Sequence, residues 1–226
     1  MPARFHAYRE LVLATSNPGK LLEFRAILGD LPVSLRALSA FPEVSLPEEG
    51  DDYEDNAVRK ARAIARDTGR PALADDSGLE VAALENRPGP YSARYGGAEL
   101  DDAGRVARLL AELGEQEDPD RSARFVCVAV LALPEGDVVI ARGECQGRIL
   151  AEARGRGGFG YDPIFQMAEQ DCSMAELPAA EKNRLSHRAR ALRELAPAIR
   201  QHLVPVMPRA VTEPSSAGDP GGRTRP

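Results

Sequence analysis

Leu11-Val12-Leu13-Ala14-Thr15-Ser16-Asn17-Pro18-Gly19-Lys20 is the stretch that decides the fold class. Its first four residues are a short apolar run of strand type. Ser16-Asn17-Pro18 then supplies capping residues followed by proline, the start signal of a helix. Leu21, Leu22, Phe24, Ile27 and Leu28 give that helix an apolar face, and Gly29 can close it. A strand running directly into a helix predicts an α/β architecture.

The pattern continues outward from there. A second helix fits 54–68, with Val58, Ala61 and Ile64 inward and Gly69 as its stop. A short strand fits 71–74 and ends at Asp75-Asp76-Ser77-Gly78, with 79–84 a further strand candidate. Residues 103–113 read as a helix. Residues 124–133 and 138–145 are the clearest strands, and Pro134-Glu135-Gly136-Asp137 joins them as a hairpin. An amphipathic helix at 186–203 uses Leu192, Leu195 and Ile199. Helices and strands alternate early and a hairpin follows, so the sheet is predicted to be mixed. Residues 1–9 read as an N-terminal extension, 10–204 as one domain, and 205–226, rich in Pro, Gly and Ser, as a disordered tail.

Composition excludes several functions. Lys plus Arg is 29 and Asp plus Glu 35, a net charge of −6, which lacks the footprint of a stable nucleic-acid or membrane-surface binder. The longest apolar run, 125–133, is too short to span a bilayer, and the N-terminus shows no secretory h-region. The three cysteines form no C-x-x-C pair, and the three histidines no H-E-x-x-H, which argues against disulfides, zinc ribbons and zinc hydrolases. A reducing cytoplasm is the expected location.

Four segments carry chemistry. In Thr15–Lys20, Gly19 allows close backbone approach, helix N–H groups point outward and Lys20 adds a charge, an anion site suited to a phosphate chain. An ordinary capped helix gives the same signals. Asp75-Asp76 at a strand end suits Mg²⁺, although Asp, Ser and Gly also favour turns. Gly155-Arg156-Gly157-Gly158-Phe159-Gly160 is a literal G-x-G-x-x-G, but no amphipathic helix follows Tyr161-Asp162-Pro163, so a dinucleotide fold is rejected. What remains is a glycine-rich loop presenting Phe159 and Tyr161, able to stack on a base or to bury both rings in the core. In the segment 181–188, Lys182 and His187 would lie about 140° apart on one continuous helix. Ser186 as an N-cap breaks that helix and starts another, placing His187 and Arg188 in a first turn.

Taken in order, Ala14–Lys20, Asn56-Ala-x-x-Lys60-Ala, Ala74-Asp-Asp-Ser-Gly78, Pro88-Gly-Pro-Tyr-Ser-Ala-Arg-Tyr95, Gly158-Phe-Gly-Tyr-Asp-Pro163 and Glu181-Lys-x-x-x-Ser-His-Arg188 strongly resemble the inosine triphosphatases. These are non-canonical purine nucleoside triphosphate pyrophosphatases. The resemblance spans about residues 10–203. It implies an elongated mixed sheet with flanking helices forming two lobes around a cleft, and a homodimer. It also implies Mg²⁺-dependent cleavage between the α- and β-phosphates of ITP, dITP or XTP.

Carried over by position, Thr15, Ser16, Asn17, Pro18, Gly19 and Lys20 would hold the triphosphate and Lys60 would assist. Asp76 would bind Mg²⁺ or accept a proton from water, or both, with Ser77 against the substrate. Glu48 matches a second metal-ligand position, in a loop reading Glu48-Glu49-Gly50 where bacterial members often have Glu-Thr-Gly. Phe159 would stack on the base with Gly160, Tyr161 and Asp162 alongside, while Lys182, His187 and Arg188 would read its edge. Two rivals stand beside this reading: a purine-nucleotide sensor without turnover, and a serine hydrolase using Ser77 and His187. The latter lacks a nucleophile-elbow spacing.

Overall fold

Alternation along two neighbouring strands sorts the core onto two faces of one sheet. Leu73, Cys127, Ala129 and Leu131 join one apolar cluster; Ala72, Ala74, Val126, Val128 and Val130 join the other. Successive side chains of a strand point to opposite faces, so each face needs its own helical cover. A computed structural model describes residues 9–203. The sequence expectations for 205–226 and for most of 1–9 lie outside them.

The elements are β1 (Glu10–Leu13), α1 (Pro18–Leu28), β2 (Ser34–Ala37), α2 (Tyr53–Thr68), β3 (Ala72–Val81), α3 (Asp102–Gly114), β4 (Ser122–Ala132), β5 (Val138–Ile149), β6 (Phe165–Met167), α4 (Ala179–Leu185) and α5 (His187–Leu203). One six-stranded sheet has the order β2-β1-β3-β4-β5-β6. β1 is parallel to β2 and β3, and the remaining pairs are antiparallel. The sheet is mixed, as its sequence pattern predicts. Helices α1 and α5 cover one face and α2 the other. A third cluster, built from α3 and the far ends of β3–β6, forms the second lobe. No helix among the described residues is long and apolar enough to cross a membrane.

The helix signals in the sequence act as expected. The Asn17 side chain accepts from the Lys20 N–H at 3.1 Å, and Pro18 opens α1. Asp52 caps α2, and Gly69 ends it at φ 61°, the left-handed geometry that glycine adopts without steric cost. Ser186 is extended between α4 and α5, and its Oγ accepts from the Ala189 N–H at 3.2 Å.

One expectation is corrected. Asp75-Asp76-Ser77-Gly78 is neither a strand end nor a turn, because β3 runs straight through it. Every residue from Ala72 to Val81 pairs with β4. A ten-residue ladder outweighs the turn preference of four residues, and buried cations neutralise the two carboxylates. The strand end that matters belongs to β1, whose pairing with β3 stops at Leu73. Beyond it the β3 edge opens into a cleft between the lobes.

Candidate active site

A cavity of about 290 Å³ lies at that opening. Asn17 and Lys20 line one end, at the start of α1. Asp76 and Glu49 stand beside them, and Phe159, Lys182 and His187 line the other end. The cavity thus joins a lysine-bearing helix start and a carboxylate pair to an aromatic, cationic end.

The two aspartates divide between faces. Asp75 faces α1 and α5: Lys20 Nζ lies 3.1 Å from its Oδ1, and Arg188 donates to its Oδ2 at 2.9 and 3.1 Å. Burial opposes ionisation of Asp75, but Lys20 and Arg188 outweigh it and hold its pKa well below the usual carboxylate range. Asp76 faces α2, accepting from Asn56 Nδ2 at 2.9 Å with Lys60 Nζ at 3.3 Å. Here burial prevails over the nearby lysines and raises the pKa.

The acidic loop is tied to Asp76 through Asn56, whose Oδ1 accepts from the Gly50 N–H at 2.6 Å and whose Nδ2 donates to the Gly50 carbonyl at 3.3 Å. Lys60 reaches Glu49 at 2.5 Å, and Arg94 holds the Gly50 carbonyl at 2.8 Å. Glu48, the residue expected as a metal ligand, is exposed and outside the cavity lining, whereas Glu49 lines it. Lys60, expected on the phosphates, sits behind Asp76 and Glu49 rather than on the wall.

At the opposite end Lys182 is buried between Glu23, at 2.8 Å, and Asp162. Its ammonium and the Arg188 guanidinium lie 4.7 and 5.8 Å from the Phe159 ring centroid. Burial raises the pKa of Asp162 despite Lys182. His187 stacks on Phe125 with ring centroids 4.7 Å apart. Burial, with Arg188 and Lys182 close by, pushes its pKa well below the usual value and keeps the ring neutral. Among the described residues the buried His187 Nδ1 has no hydrogen-bond partner.

Arg188 lines the cavity as well, but it is less free than expected for a base-reading residue. It is 1% exposed and donates to Asp75 twice, to Ser77 Oγ and to Glu23, which engages four of its five N–H groups. Its first work is to neutralise a buried carboxylate cluster. Thr15 and Ser16 shape the loop without lining the cavity; Thr15 Oγ1 accepts from the Asn17 N–H at 3.1 Å. Pro18 and Gly19 are also off the wall, Gly19 lying against the Phe159 ring. Ser77, Gly160, Tyr161 and Asp162 all line the cavity, and Tyr161 donates to the Ser92 carbonyl at 3.0 Å.

Sequence reasoning missed Glu23 and Arg94, which hold the site's charged groups, and Asp102 and Arg105, which line the cavity. Asn56 and Arg94 stood within recognised motifs, but Glu23 looked like a surface position of an amphipathic helix. Nothing in the sequence set Asp102 and Arg105 apart from other helical charges.

Comparison with known proteins follows this geometry. The chain matches the Ham1 family over residues 11–198. It is 50% identical over 186 residues to a dITP/XTP pyrophosphatase of Desulfotalea psychrophila, covering 82% of each chain. It is 46% identical over 188 residues to a dITP/XTP pyrophosphatase of Halalkalibacterium halodurans, covering 83% of this chain and 97% of that one. A Ham1 protein from Coxiella burnetii superposes with a TM-score of 0.77 at 42% identity, over 85% of this chain and 98% of the other. The dITP/XTP pyrophosphatase structure from Mycobacterium abscessus gives 0.66 at 43%, over 84% and 100%.

Proposed function

This chain belongs to the Ham1 family, and from that premise we propose that it hydrolyses non-canonical purine nucleoside triphosphates. ITP, dITP and XTP are the substrates, and the products are the nucleoside monophosphate and pyrophosphate. The observation that carries this reading is the single cleft with a phosphate-type helix start and two carboxylates at one end and an aromatic, donor-rich pocket at the other. Residues 10–204 form the catalytic domain.

Asn17, Lys20 and the first turn of α1 bind the triphosphate, whose charge an acidic protein must counter locally. Among the described residues no three His, Cys, Asp or Glu side chains converge on a metal site. Asp76 and Glu49 suit Mg²⁺, a hard cation that takes one or two carboxylates and completes its shell with phosphate oxygens and water. When bound, that ion supplies charge neutralisation for displacement at phosphorus. Asp76 is assigned both ligation and acceptance of the proton from the attacking water. Asn56 and Lys60 keep its carboxylate in place.

At the base end Phe159 stacks on the purine, and Lys182 and His187 face its edge with Gly160, Tyr161 and Asp162 around them. A C6 carbonyl satisfies donors there, while the adenine amino group opposes them. Homodimeric assembly, a cytoplasmic location and the absence of stable nucleic-acid binding complete the reading; the net charge of −6 supports the last.

Pyrophosphate release measured over ITP, XTP, dITP, ATP, GTP and dGTP, with and without Mg²⁺, tests the assignment. Turnover of ITP and XTP that needs the metal supports it. Tight binding of ITP without pyrophosphate release would instead identify a nucleotide sensor.

A further inference from the structure

We propose that Asp102 is a positioning residue for the Phe159 loop, holding it in place by accepting the Gly160 backbone N–H. The inference rests on the reading that Phe159 is the stacking platform for the base. Phe159 lies in a loop between β5 and β6 whose neighbouring glycines, Gly158 and Gly160, have φ of 71° and 62°. Such a segment has little intrinsic rigidity, since glycine loses more conformational freedom than any other residue when ordered. A stacking platform must nevertheless be fixed before the ligand arrives, or binding bears the cost of ordering it.

Two carboxylates clamp the peptides on either side of Phe159. Asp162 Oδ2 accepts from the Phe159 N–H at 2.8 Å, three residues away in the same loop. Asp102 Oδ2 accepts from the Gly160 N–H at 2.8 Å from α3, 58 residues away. The second tie connects the loop to a helix packed in the core of its lobe. Arg105 NH1 lies 3.2 Å from Asp102 Oδ1, holding the carboxylate in the orientation that leaves Oδ2 free for Gly160. Helix α3 does not need Asp102 for its start, because Asp101 caps it by accepting from the Gly104 N–H at 2.8 Å. The tie is therefore separable from the fold.

The test compares Asp102→Ala with Asp102→Asn, whose side-chain oxygen can still accept the Gly160 N–H. Asp102→Ala should raise the KM for ITP roughly three- to tenfold with kcat within about twofold, the loss of one backbone hydrogen bond. Asp102→Asn, which can keep the Gly160 bond only by turning its NH2 toward Arg105, should recover part of the loss in KM. Equal KM in all three proteins overturns the proposal, and so does equal impairment of both variants, which would assign the effect to charge.

A second measurement needs no substrate. The chain has no tryptophan, so Phe159→Trp introduces a single tryptophan in the loop, excited selectively over the five tyrosines. Adding Asp102→Ala to it should lower the anisotropy and increase acrylamide quenching at an unchanged melting temperature. Unchanged fluorescence overturns the tether. Should the wild-type protein release no pyrophosphate from ITP, the functional reading falls while the fluorescence comparison still decides whether Asp102 holds the loop.

Discussion

Asp75 and Asp76 are neighbours in sequence that work on opposite sides of one sheet. Asp75 is bound by Arg188 and Lys20 on the α5 face, and Asp76 by Asn56 and Lys60 on the α2 face. Asp75 is absent from the cavity wall, whereas Asp76 is part of it. Isosteric amides at the two positions should therefore fail differently. Asp76→Asn should nearly abolish pyrophosphate release while leaving the urea midpoint close to wild type. Asp75→Asn removes the negative charge opposite Arg188 and should lower stability by about 3 kcal/mol, the low end for a broken buried pair. Near-normal turnover of Asp76→Asn at saturating Mg²⁺ would take Asp76 out of the centre of the mechanism.

Lys20 sits at the helix start, in contact with Asp75 and on the cavity wall. On the proposed reading its charge meets phosphate both in the bound substrate and during cleavage. Lys20→Ala should raise KM and lower kcat together. Steady-state kinetics with ITP decide the matter, and unchanged constants would reduce this segment to a capped helix with a lysine on it.

Acid should destabilise the fold through Asp75 and Glu23. Burial opposes ionisation of both, yet Lys20 and Arg188 at Asp75, and Arg188 and Lys182 at Glu23, lower their pKa values below the ordinary 3.8 and 4.5. A carboxyl whose pKa is depressed in the folded state binds fewer protons there than in the unfolded chain. Its stabilisation is complete above the ordinary value and disappears as pH falls through the folded one. The wild-type advantage over Asp75→Asn in chemical denaturation should be flat above about pH 5 and shrink below about pH 4. An advantage that grows on acidification would contradict this account.

Base selectivity should favour ITP and XTP strongly over ATP, by up to roughly 10⁴ in kcat/KM where buried donors are left unpaired. Lys182→Ala should erode that preference and, by leaving Glu23 and Asp162 without their buried cation, lower stability as well. Arg188→Ala should first reveal itself as a loss of stability, because four of its N–H groups neutralise or satisfy buried partners. Comparable kcat/KM for ATP and ITP in the wild-type protein would defeat the donor argument.

The sequence exposed those features that depend on local chemistry. Asn17-Pro18, Gly69 and Ser186 act through their own backbone, so their caps and breaks were legible. The aromatic loop and the cationic segment were legible as ingredients of a site. What stayed hidden depends on long-range pairing. The continuity of β3 through Asp75–Gly78 is imposed by β4, some fifty residues away. Glu23 becomes a buried anion only when α4 and α5 bring Lys182 and Arg188 onto α1. The two short strands β2 and β6 carry too few residues for a period to emerge.

The contact between Gly19 and Phe159 has a consequence for anyone redesigning this cleft. A β-carbon on residue 19 would come within 2.5 to 2.8 Å of three atoms of the Phe159 ring, so the ring would have to move. The turn proposed to receive phosphates and the ring proposed to face the purine thus share one surface. Libraries that diversify position 19 alone will mostly return inactive clones; productive changes there should come from pairs, with a smaller ring at 159 accompanying any side chain introduced at 19.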